Sequence, residues 1–126
     1  DLWDMDYELK VTNELAQKGA EIIINISASP FHDEQPDIRK KLIEEKVRET
    51  RVPFIYCNLV GAQDELIFDG NSVIYNQKGE VIGSGKSFSE DLVIANITPV
   101  IWLVGSQNCC AWPLLWSLGR RWLRQR

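Results

Sequence analysis

The stretch Pro53-Phe-Ile-Tyr-Cys-Asn-Leu-Val-Gly-Ala-Gln-Asp-Glu-Leu-Ile-Phe-Asp-Gly-Asn-Ser72 decides how the chain is read. It begins as a β-rich apolar run, Phe54 to Tyr56, entered through a proline and broken by the polar Asn58 and by Gly61. Gln63, Asp64, Glu65 and Asp69 follow closely, with Leu66, Ile67 and Phe68 packed between the acids. Acids interleaved with large apolar side chains predict a partly buried segment in which each carboxylate needs a partner. The alternative is that Asp64 and Asp69 cap turns on either side of a short strand.

Upstream, Asp4 or Asp6 is placed to cap a helix running to about Lys18, with Leu9, Val11, Leu15 and Ala16 facing a core and Gly19 ending it. Ala20 to Ser27 contains Ile22, Ile23, Ile24 and Ile26, a β-branched run that predicts a central strand covered on both faces. Ser27-Ala28-Ser29-Pro30-Phe31-His32 leaves the carboxyl end of that strand as a loop, where ligand sites of α/β proteins collect. Pro36 and Asp37 suit the first turn of a second helix reaching Thr50. Its apolar stripe is Ile38, Leu42, Ile43 and Val47, and Glu44, Glu45, Lys46, Arg48 and Glu49 read as its solvated face. Downstream, Ser72 to Asn76 and Glu80 to Ser84 flank Gln77-Lys78-Gly79 as a β-hairpin, and Leu92 to Ile97 reads as a last strand. The order is that of an α/β fold with a mixed sheet, two helices and a hairpin.

Composition bounds the function independently. At 126 residues, 44% hydrophobic and 25% charged, the chain reads as one soluble globular unit with a modest core. Four of its 14 basic residues, Arg120, Arg121, Arg124 and Arg126, lie beyond Leu92, where there is no acid. The first 91 residues therefore carry 18 acids against 10 bases, a net charge of −8, which argues against nucleic acid as the main partner. Cys57, Cys109 and Cys110 form no disulfide framework, and nothing around the single His32 has metal-ligand spacing. A reduced, cytoplasmic setting is expected. Asp1, Asp4 and Asp6 are the reverse of a basic leader. The longest apolar window, Ile97 to Val104, is far too short to span a membrane.

Gln63-Asp-Glu-Leu-Ile-Phe-Asp-Gly-Asn-Ser72, preceded by Phe54-Ile-Tyr-Cys-Asn-Leu-Val-Gly61, closely resembles the carbon-nitrogen hydrolase (nitrilase) superfamily, and within it the glutaminase domain of glutamine-dependent NAD synthetases. The resemblance runs from Asp1 to about Ile97. It implies the carboxyl-terminal half of a four-layer αββα sandwich over residues 1–97, followed by an unrelated tail over residues 98–126. It also implies a Glu-Lys-Cys triad in which a thiolate attacks an amide carbon, a carboxylate shuttles the proton and a lysine stabilises the oxyanion. Asp1-Leu2-Trp3 is similar to the end of the family's Cys-Glu-Asp-(Leu or Ile)-(Trp or Phe) segment. On that alignment the nucleophile stands two residues before Asp1, and no catalytic residue falls in this sequence. Cys57, after a strand-like run, reads as a buried, inert thiol.

Substrate contacts are what the resemblance carries over. Trp3 occupies the aromatic position beside the nucleophile and would wall a glutamine pocket; the alternative is a core tryptophan. Ser29 aligns with a glutamine-contacting serine, or else is a turn-capping hydroxyl. Where relatives continue Ser-Pro-(Phe or Tyr)-His-x-Gly-(Lys or Arg), with a basic residue suited to the α-carboxylate, this chain has Glu34-Gln35. Arg39, ten residues after Ser29, matches a further family arginine and is the candidate substitute, or else a helix-surface arginine. His32 reads as a loop residue. Lys86, in Gly83-Ser84-Gly85-Lys86-Ser87, lacks phosphate-loop spacing.

The implied cofactors are none for the glutaminase half-domain, with ATP and Mg in a synthetase domain that would follow it. The implied partners are glutamine, the amino-terminal half of the domain, the synthetase domain and a second copy in a homo-oligomer. A stand-alone amidase or nitrilase and a non-catalytic interaction module are the rival readings. The tail holds Trp102, Trp112, Trp116 and Trp122 and no lysine; it reads as a frameshifted or misjoined translation, or else as a basic amphipathic helix from Leu114 to Arg126.

Overall fold

The computed structural model describes residues 2–4 and 7–100. Asp6 and the tail helix expected over 114–126 lie outside them. In order, the elements are α1 (Val11–Gln17), β1 (Ile23–Ser27), α2 (Gln35–Thr50), β2 (Phe54–Asn58), β3 (Val60–Gln63), β4 (Leu66–Asp69), β5 (Val73–Tyr75) and β6 (Val81–Ser84). A mixed sheet runs β1-β2-β5-β6, parallel between β1 and β2 and antiparallel beyond; β3 and β4 form a separate hairpin. The fold is therefore mixed α/β with two helices.

One face of the sheet is covered and the other open. Phe54, Tyr56 and Asn58 of β2 point towards the helices and are buried, as is Ile23 of β1. They meet Leu42, Ile43 and Val47 of α2, with Val52, Leu2, Ala16 and Tyr75 completing the core. The alternate residues face away: Ile24 is 63% and Ile26 84% exposed, and Cys57 is exposed beside Ile26 in register. This corrects two expectations. Among the described residues the isoleucine run is an edge strand with one open face rather than a central strand covered on both, and Cys57 shares that open face because strand side chains alternate.

Helix α2 starts where Pro36 and Asp37 place it and ends at Arg51, whose left-handed backbone (φ 59°) lets its N–H reach the Val47 carbonyl at 2.8 Å. Helix α1 is shorter than expected. It begins after Lys10, with no side-chain cap, and Asp4, six residues before that cap position, pairs with Lys46 instead. Its buried residues are Thr12 and Ala16, while Leu9 and Leu15 are exposed. Gly19 (φ 90°) closes it, with the Ala20 N–H returning to Leu15.

The β5–β6 hairpin forms as the turn residues dictate: the Asn76 Oδ1 accepts the N–H groups of Lys78 and Glu80. Residues 92–97 form no strand. Residues 93, 95 and 97 are half-buried and 92, 94 and 96 exposed. Val93 lies so close to Gly83 that an added Cβ there would meet it at 2.9 Å.

Candidate functional site

Strands β1 and β2 end side by side, with Ser27 opposite Asn58. The parallel pairing brings two carboxyl-terminal strand ends to one edge, where the chain leaves into the Ser29 loop and the β3–β4 hairpin. Asn58 is 6% exposed, and its amide is used from both ends. Its Oδ1 accepts the Ser29 N–H at 2.9 Å, and its Nδ2 donates to the Ser29 carbonyl and to Asp69 Oδ1, both at 3.3 Å. One side chain thus replaces the sheet partner that the Ser29 backbone loses on leaving β1. A further tie runs from the Phe31 N–H to the Ile67 carbonyl at 2.7 Å.

Asp69 closes the network. It is fully buried and accepts Arg39 Nη2 on both carboxylate oxygens at 2.6 Å, as well as the Asn71 amide at 2.5 Å. Arg39 is 3% exposed, with its guanidinium carbon 5.9 Å from the centre of the Tyr56 ring. Burial works against its charge, but Asp69 and Tyr56 more than offset this, and the guanidinium is held above its ordinary value. Arg39 is thus not a helix-surface residue: Nη2 is held by Asp69, while the buried Nη1 has no hydrogen-bond partner. Asp69 is not a turn cap, in contrast to Asp64, which takes the positive φ (52°) of the β3–β4 turn.

Gln35 is buried, and its Nε2 lies 3.5 Å from the Ser29 Oγ. Ser29, Gln35 and Arg39 are therefore brought together through Asn58 and Asp69. Trp3 packs half-buried against the core, between buried Leu2 and buried Asp4. His32 and Lys86 are exposed loop residues. On the open face beside these strand ends lies a cavity of about 680 Å³, lined by residues including Ser27, Ala28, Cys57, Asn58 and Lys86.

The second buried ion pair was assigned to solvent by sequence. Lys46 is 7% exposed, and its Nζ lies 2.5 Å from Asp4 Oδ1. Among the described residues no group of three or more His, Cys, Asp or Glu side chains is placed to hold a metal, and no helix is long and apolar enough to cross a membrane.

A mixed sheet layered on one face by helices, with a polar frame at its parallel strand ends, is the architecture of one half of a nitrilase-type sandwich, and the carbon-nitrogen hydrolase family profile matches residues 3–101. The chain belongs to the carbon-nitrogen hydrolase family. Within it, the chain is 42% identical over 80 residues to the glutamine-dependent NAD(+) synthetase of Thermotoga maritima, covering 64% of this chain and 14% of that one. The solved glutamine-dependent NAD+ synthetase of Acinetobacter baumannii superposes with a TM-score of 0.60 at 34% identity, over 64% of this chain and 15% of that one. A carbon-nitrogen hydrolase of Helicobacter pylori shares the fold over 91% of this chain and 41% of its own length, with a TM-score of 0.63 at 23% identity. The chain thus spans about a seventh of the length of the two synthetases it resembles.

Proposed function

We propose that this chain is a portion of the glutaminase domain of a glutamine-dependent NAD synthetase. What carries the reading is the buried Ser29–Asn58–Asp69–Arg39 frame at the β1 and β2 ends, in a segment 42% identical to such an enzyme. The nucleophilic cysteine, glutamate and lysine come from sequence preceding Asp1. The thiolate adds to the glutamine carboxamide, ammonia leaves, and water cleaves the thioester to glutamate. The ammonia is then used in a separate synthetase domain, where ATP and Mg drive amidation of deamido-NAD.

In this scheme the described residues bind and orient. Ser29, fixed at both its N–H and its carbonyl, presents its hydroxyl to glutamine, and Trp3 walls the pocket. Arg39, anchored on Asp69 through Nη2, offers its unpartnered Nη1 to the substrate carboxylate, and the Gln35 amide stands where a second cation would otherwise meet it. The enzyme is cytoplasmic and assembles as a homo-oligomer.

The test is the product of the complete reading frame that contains this segment, given glutamine, deamido-NAD, ATP and Mg. NAD should form with glutamine as nitrogen donor. Ser29→Ala, losing one hydrogen bond of about 1–1.5 kcal/mol, should raise the glutamine KM about tenfold. Hydrolysis of other amides without NAD formation would instead establish a stand-alone amidase. Inactivity on every amide would leave an interaction module.

A further inference from the structure

We propose that Lys46 is a positioning residue for the segment Leu2–Asp4, setting the distance between Trp3 and the Ser29 loop; this rests on the glutaminase reading above. Leu2 is 1% and Asp4 3% exposed, while Trp3 between them is half-buried. That alternation anchors the residues on both sides of Trp3, one by core packing and the other by charge. The Asp4 carboxylate meets Lys46, and the Asp4 carbonyl accepts a hydrogen bond from Lys10 Nζ.

The helix bearing Lys46 also bears Arg39. Seven residues make two turns, so both cations lie on one face of α2, about 10 Å apart along its axis. Each grips a buried carboxylate from a different segment: Asp69, which joins the Asn58–Ser29 frame, and Asp4, beside Trp3. The helix therefore acts as a rigid spacer between the two walls that the glutamine pocket needs. Leu2 and Trp3 hold the amino-terminal segment against the core by packing, which has little direction along the chain. The Lys10 hydrogen bond and the Lys46 ion pair add direction, and of the two the buried Lys46–Asp4 pair ties the segment to α2. A buried pair is seldom the most stable way to fill such a site, and apolar replacements of similar volume are often as stable or more so. Geometric specificity gives Lys46 a reason to be charged.

The experiment uses the complete enzyme and compares Lys46→Met, Lys46→Arg and the double variant Asp4→Leu/Lys46→Met. Glutamine hydrolysis is measured alongside NAD formation from added ammonium, which bypasses the glutaminase. Displacement of the Trp3 wall by about 1 Å should lower kcat for glutamine by about 10- to 100-fold, with ammonium-driven NAD formation unchanged. Lys46→Arg should recover most of the loss. The double variant, apolar on both sides, should melt at or above the parent temperature yet remain slow with glutamine. If its kcat returns together with its stability, Lys46 is merely structural and the proposal falls. If the parent enzyme does not hydrolyse glutamine at all, the glutaminase reading fails first.

Discussion

Asp69→Asn is the most informative single change to this chain. The substitution keeps shape and removes charge. Asp69 is fully buried and accepts from three donor groups, namely Arg39 Nη2 on both oxygens, Asn58 Nδ2 and Asn71 Nδ2. A carboxylate can accept at every position, whereas an amide must turn its own NH₂ towards at least one of these donors. The result is a donor facing a donor beside an uncompensated buried guanidinium. Removing one member of a buried pair costs about 3–5 kcal/mol, a large share of the roughly 5–15 kcal/mol that stabilises a typical domain. With a urea dependence of about 1–3 kcal/mol per molar, the unfolding midpoint should fall by about 2 M. Circular dichroism of the chain in urea measures it. Arg39→Met/Asp69→Leu should recover much of the loss, since it leaves no orphaned charge. A midpoint for Asp69→Asn within about 0.3 M of the parent would refute the view that this charge pair anchors the strand ends.

Tyr75 is 1% exposed, and burial together with the nearby Glu44 carboxylate pushes its phenol up to about 12. Because the folded value lies above the unfolded value of about 10, this contribution is complete below pH 10 and lost as pH rises to 12. It amounts to about 3 kcal/mol, so Tyr75→Phe should flatten the alkaline loss of stability. An unchanged slope would show that Tyr75 ionises freely in the fold. Gly70 has φ 69°, and a Cβ there would meet Val60 Cγ2 at 2.6 Å and the Lys86 carbonyl at 3.2 Å, whereas Gly79 (φ 83°) has nothing within 4 Å. Gly79→Ala should cost only the roughly 1–2 kcal/mol of a left-handed backbone, and Gly70→Ala about 1–3 kcal/mol more; equal thermal shifts would contradict the packing at Gly70. Ile43, 1% exposed at the centre of the α2 stripe, should lose about 2–5 kcal/mol on truncation to alanine, read as a denaturation midpoint. A loss under 1 kcal/mol would mean that α2 is not docked on the sheet as described.

What the sequence made legible was local. Pro36 and the spacing of Leu42, Ile43 and Val47 define α2, and Asn76 with Gly79 defines the β5–β6 turn, because each signal is complete within a few residues. What it hid was tertiary. Four isoleucines in one run cannot say which face of β1 is covered, and the parity that puts Phe54 and Tyr56 inside puts Cys57 outside only once that face is known. Residues 92–97 alternate as a strand should. Yet Val93 packs onto Gly83 without a ladder of hydrogen bonds, a distinction that no alternation pattern contains.

The site was half legible, and the half that was missed shows where to look. The acids set among Leu66, Ile67 and Phe68 do not behave alike: Asp64 and Glu65 are exposed, as are Leu66 and Ile67, and only Asp69 is buried with a charged partner. The partner was readable too. Arg39, Leu42 and Lys46 stand at i, i+3 and i+7, the spacing of a single helix face, and Leu42 is a core residue. Cations at that spacing lie on the side of the helix that the core leucine occupies, and here both are buried with it. A buried cation without a carboxylate is far costlier than one with it, so α2 required two acids from outside the helix. Lys46 lies on that face, whereas Glu45, Arg48 and Glu49 of the same charged run are exposed. The helical angle of each charge separates the buried cations from the solvated residues, and the tertiary fold decides that Asp69 and Asp4 meet them. Asp4 does not cap α1 because the cap position falls at Lys10, six residues later, which leaves its carboxylate to meet Lys46.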